Sequence, residues 1–155
     1  MKETDSGFSL VEVLVVVIIV AIAAAISIPN LLASRRAASR ASAINSLRTI
    51  HTAQSTYFST IGRRTSYADL VSLRGSGLVD ASFEGPSFVK SGYTIGVSVT
   101  EGANGYCSSA DPIGTGTARS LGNDEDGVIY QGVPTNPCDH GLLTIGEGAP
   151  INEGN

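Results

Sequence analysis

The sequence predicts an α+β chain: a long N-terminal α-helix, apolar in its front half and amphipathic in its back half, with a small antiparallel β-sheet head on its C-terminal half. Three observations predict it. Phe8–Ile28 reads FSLVEVLVVVIIVAIAAAISI and is apolar on every side. Ile44, Leu47, Ile50, Gln54, Tyr57, Phe58 and Ile61 then recur at three- and four-residue steps, which draws one stripe along a helix. Tyr93–Thr100 alternates Tyr, Ile, Val and Val with small polar residues, the pattern of a half-buried strand.

The helix reading can be justified residue by residue. Ala, Ser and Arg dominate Ala33–Arg48, with no Gly or Pro, so helix continues past Pro29. Pro29 lacks a backbone donor and is expected to bend or locally melt the helix there. Gly62 is the expected C-cap. A helix over Phe8–Ile61 would be about 80 Å long. Tyr57 and Phe58 fall at core spacing. His51 sits among polar residues and is expected exposed or hydrogen-bonded.

Composition bounds the rest. The 155 residues hold only 15% charged side chains but 18 Gly, which suits a loop-rich exported domain. The net charge of −4 gives no reason to expect nucleic-acid binding. Charge is uneven: from Phe8 to Arg74 seven Arg stand against Glu12 and Asp69, and from Gly75 onward Lys90 and Arg119 stand against ten acids. The two halves can complement one another between copies, or be two solvated faces. Two cysteines, Cys107 and Cys138, suggest one disulfide in an exported domain, closing a loop of about 30 residues worth roughly 3–4 kcal/mol.

An apolar run of this length, about that needed to span a bilayer, must enter a membrane or be covered by protein. Three readings compete: a signal peptide cut near Ala21-Ile22-Ala23, an ordinary anchor, or a leader cut in front of the run. Glu12 separates them. A carboxylate there costs roughly 2.5–3.5 kcal/mol in lipid, and neither a signal peptide nor an anchor gains from it. A cut after Gly7 would create a cationic partner, the new α-amine of Phe8, its own or a neighbour's. A register one step wrong would leave a charge unpaired, so the pair would set the stagger of packed helices.

Gly7-Phe8-Ser9-Leu10-Val11-Glu12 resembles the cleavage and methylation site of type IV pilins and type II secretion pseudopilins. The resemblance implies cleavage between Gly7 and Phe8 by a prepilin peptidase, N-methylation of Phe8, and pairing of Glu12 with a neighbour's Phe8 amine. Pro29 falls where the family often carries a helix-kinking Pro. The implied organisation is a leader over 1–7, a membrane and filament-core helix over 8–28, an amphipathic helix over 29–62 and a β head over 63–155. The short leader departs from the family's basic one, since Glu3 and Asp5 offset Lys2 and the amino terminus. Arg35, Arg36 and Arg40 just beyond the membrane segment suit lipid headgroups or subunit contacts.

In the head, Thr65 or Ser66 is expected to cap a short helix through Leu73, broken at Gly75-Ser76-Gly77. Leu78–Phe83 reads as a linking segment. A return strand begins at Tyr106–Ser108. Weaker strands are expected at Ala118–Leu121 and Gly127–Tyr130, around a turn at Gly122–Gly127. Three or four strands in all would pack on the helix, as in type IV pilins, where a disulfide near the C-terminus often closes a surface loop; Cys107 and Cys138 fit that role.

Asn123-Asp124-Glu125-Asp126-Gly127 raises calcium binding through Asp124 and Asp126, as in a loop of the major pseudopilins, or else forms a plain acidic turn. No other cofactor is expected. Nothing points to an enzyme: there is no Walker loop, no HExxH and no CxxC. Only two histidines exist, His51 and His140, so a Ser-His-Asp arrangement has few candidates, and Asp139-His140 lies in a Pro/Cys loop with no partner nucleophile indicated. The expectation is therefore a type IV pilus subunit. Its precursor would sit in the inner-membrane lipid, meet an assembly platform, and pack with copies of itself in an extracellular filament. The alternatives are a type II secretion pseudopilin in a periplasmic filament, or a secreted binding domain with an ordinary signal peptide.

Overall fold

The computed structural model describes residues 9–100, 102–114, 119–132 and 149–150. Helix α1 runs Leu10–Thr60, helix α2 Leu70–Gly75, and six strands follow: β1 Ser87–Lys90, β2 Tyr93–Val99, β3 Tyr106–Pro112, β4 Leu121–Asp124, β5 Tyr130–Gln131 and β6 Ala149–Pro150. The strands form one antiparallel sheet whose spatial order is their chain order. This is the expected α+β fold, with more strands than expected. Contacts divide the chain into two compact units, Met1–Ala37 and Ala38–Asn155.

Within the first unit, α1 is unbroken through Pro29. The expected melting does not occur. Pro29 costs only the bond that the Ala25 carbonyl would have received, and the turns on either side hold the helix. Ser27 stays satisfied in this apolar stretch because its Oγ donates to the Ala23 carbonyl at 2.8 Å.

Within the second unit, the amphipathic stripe of α1 builds the core. Leu47, Ile50 and Gln54 are fully buried, with Ala43, Ser46 and Ala53 on the same face. Ile44 and Tyr57 pack partly against the core. Phe58 stacks on Tyr67 at 4.7 Å between ring centroids. Ile61, expected on the stripe, lies past the helix end and is exposed. The sheet contributes Phe88, Tyr93, Ile95, Tyr106, Ala110 and Leu121, and α2 contributes Leu70 and Leu73.

The helix ends where Gly62 N donates to the Tyr57 carbonyl at 2.8 Å. Gly62 serves the cap through close approach: an added Cβ would meet the Ser66 carbonyl oxygen at 2.1 Å. Left-handed backbone falls instead on Arg63 (φ 51°) and Arg64 (φ 61°). Their positive charge at a helix C-terminus favours the macrodipole.

Three sequence expectations need correction. The cap of α2 is Asp69, not Thr65 or Ser66: its Oδ1 accepts from Ser72 N at 2.8 Å, and hydrogen bonding from the Ser72 side chain, then from its backbone, holds the Asp69 carboxyl below its ordinary pKa. Strand β1 was not anticipated. It precedes Ser91-Gly92, both at positive φ, a two-residue hairpin loop that pairs Lys90 with Tyr93. The turn expected over Gly122–Gly127 is shorter, because residues 121–124 pair with β3 as β4. Its polar residues can be buried there because Ser108 Oγ donates to Asn123 Oδ1, and Asp124 Oδ1 accepts from Asp126 N at 3.0 Å.

Candidate functional site

The first unit carries the long apolar segment. Gly7 and Phe8, the expected cleavage pair, lie outside the described residues. Glu12 stands in the first turn of α1, where its N–H donates to the Ser9 carbonyl at 3.1 Å and a carboxylate favours the helix N-terminus. Around it the large apolar side chains from Leu10 to Leu32 are between 48% and 82% exposed. One chain leaves them uncovered, far beyond the scattered apolar residues a lone soluble surface carries. Apolar length, lack of a polar face and an isolated carboxylate therefore coincide on one helical segment, long and apolar enough to cross a membrane.

The second unit fixes how its loops meet α1. Gln54 is fully buried and pairs with one residue of the loop after the helix. Its Nε2 donates to the Ala68 carbonyl, and its Oε1 accepts from Ala68 N at 3.0 Å. A side-chain amide thereby satisfies both backbone groups of a buried residue. Arg40, expected at headgroups or subunit contacts, donates through Nη2 to Gln131 Oε1 and so ties α1 to β5. Arg35 and Arg36 are exposed.

His51 Nδ1 lies 2.7 Å from the Tyr106 hydroxyl, the hydrogen-bonded alternative expected from sequence. Burial drives the Tyr106 phenol far above its ordinary pKa, so it keeps its proton across the physiological range, and the direction of its bond to the imidazole follows the His51 tautomer. Gly127 sits against the same ring at φ 73°, and an added Cβ would come within 2.6 Å of His51 Nε2. Gly127→Ala should therefore lower head stability by about 1–3 kcal/mol, through both left-handed backbone and collision. Thermal melting checks this. Combining it with His51→Ala should recover part of the loss, because that removes the collision but not the backbone strain.

The acidic turn is shaped by its own residues. Asp124 is buried, and burial raises its carboxyl pKa despite the bond from Asp126 N. Glu125 and Asp126 are exposed. Among the described residues no three His, Cys, Asp or Glu side chains converge as a metal site. Cys107 is buried on β3 and is not a free thiol. Cys138, its expected partner, and His140 lie outside the described residues.

The family model for the prokaryotic N-terminal methylation motif matches residues 4–28. This is the prepilin-type cleavage and methylation motif of type IV pilins and pseudopilins, and it covers Gly7, Phe8, Glu12 and nearly all of the uncovered apolar run. The motif supports a processed surface protein like the type IV pilins and pseudopilins, and it marks structural proteins that are generally not enzymes. It implies processing by a prepilin peptidase and assembly into filaments, and with the apolar helix it fits a membrane-anchored precursor. No curated protein and no solved structure matches the chain.

Proposed function

We propose that the chain is a structural subunit of a type IV pilus. Prepilin peptidase cuts between Gly7 and Phe8, Phe8 is N-methylated, and an inner-membrane assembly platform draws the subunit from lipid into an extracellular filament of like subunits. The observation that carries this reading is Glu12, a carboxylate set in an uncovered apolar helix inside the matched motif. A neighbour's Phe8 amine gives that charge its partner. Pro29 removes one backbone bond within the packed segment and adapts its curvature to neighbouring helices. Mass spectrometry of the mature N-terminus tests the reading. A methylated Phe8 is expected. A new end after Ala23 or Ala25 would mean an ordinary signal peptide and sink the proposal.

A type II secretion pseudopilin shares the helix and the processing. The acidic residues Glu125 and Asp126, exposed on one turn, favour that rival, and a Cys107–Cys138 disulfide favours the pilus. Calcium titration followed by thermal melting separates them. The pilus reading expects no stabilisation, whereas a calcium-dependent rise in Tm would transfer the assignment to the pseudopilin.

A further inference from the structure

We propose that the seam between α1 and strands β3 and β4 holds one structural water, bound by the side-chain amide of Asn123. Leu121 lies in the core shared with α1, and Asn123, two residues along β4, shares its face. Asn123 is 3% exposed. Its Oδ1 accepts from Ser108 Oγ on the paired strand, while Nδ2 has no hydrogen-bond partner among the described residues. Reversing the amide does not remove the problem. Nδ2 would then donate to the Ser108 hydroxyl and leave Oδ1 without a donor.

Either orientation leaves one strong polar atom unmatched in the interior, where such groups are nearly always satisfied. The ligand that fits both orientations is water, which donates or accepts as required and commonly fills this role at buried polar sites. Ser108, fully buried beside Asn123 on the paired strand, makes the surroundings of the amide polar. The site also specifies register: sliding β4 by one residue would carry Asn123 to the opposite face and abandon both Ser108 and the water.

The test uses the full chain in detergent micelles. In nitrogen-15-labelled protein, the Asn123 side-chain amide protons should show direct magnetisation transfer from a long-lived water, absent in Asn123→Leu. An amide with no water contact overturns the proposal, and this readout on the unmodified chain does not depend on a variant folding. Thermal melting gives a second reading. Asn123→Leu should lower Tm by about 4 °C or more, because Ser108 loses its partner. Adding Ser108→Ala should recover most of that loss by leaving the seam apolar and dry. A double variant at least as impaired as the single one would count against a water-filled polar pair.

Discussion

Glu12→Ala should leave cleavage before Phe8 largely intact and abolish or severely reduce filaments. Alanine removes a charge that costs roughly 2.5–3.5 kcal/mol in the bilayer, so the variant precursor should enter the membrane at least as readily as the parent. What it loses appears only between subunits. Without the carboxylate, a docked neighbour's N-terminal amine is buried among apolar side chains with no partner, a cost of about 3–5 kcal/mol for one broken buried pair. Sheared-filament yield, measured beside the amount and N-terminal sequence of processed subunit in the membrane, separates the two stages. Glu12→Gln sharpens the comparison because it keeps the volume and removes only the charge. Abundant filaments from both variants would end the pairing argument while leaving the processing assignment standing.

Gln54→Leu should strongly destabilise the head. The leucine matches glutamine closely in volume, so packing along α1 is nearly conserved. Two bonds vanish together: the one donated to the Ala68 carbonyl and the one accepted from Ala68 N. Both backbone groups belong to a buried residue, and an unsatisfied buried group costs about 1–3 kcal/mol. A combined loss of about 2–5 kcal/mol follows, a large share of the stability of a domain this size. Chemical denaturation of the full chain in micelles measures it. Gln54→Glu should be at least as damaging at neutral pH, since an ionised carboxylate would be buried against the Ala68 carbonyl oxygen with no cation beside it, and should recover at acid pH, where the protonated carboxyl can again donate to that carbonyl. A Gln54→Leu variant with unchanged stability would show that the loop after α1 contributes nothing to holding the head on the helix.

Periodicity explains which parts could be read from the sequence. The apolar run and its stripe cover many residues, so single exceptions such as Ile61 do not obscure the helix. Strand β2 alternates cleanly because it is paired on both sides and packs one face on α1. The misread elements are short or polar. Strand β4 reads Leu-Gly-Asn-Asp, a turn by composition, and becomes a strand only because β3 supplies Ser108 and because Asp124 bonds within its own turn. The Asp69 cap competes locally with Thr65 and Ser66, and the choice falls to Asp69 once Gln54 fixes Ala68 in place beside it. Glu12 was legible at once, since a lone charge in an apolar run has no local explanation. In the sequence Gln54 reads as one more stripe position. That its amide pairs with both backbone groups of Ala68 depends on a loop whose path no periodicity records.

The strand order bears on how the head is made. From β2 onward each strand pairs with the strand just before it in the chain, so its first partner is already made. Loop closures stay short from β1 through β4, where the chain adds one hairpin edge at a time. Such local wiring favours rapid folding over topologies that must join distant segments. A head emerging N-terminus first has α1 already available as a surface, and each strand from β2 to β4 arrives beside an existing edge. The growing edge at each of these steps is covered by the next strand, which shortens the interval in which neighbouring unfinished copies can pair with it.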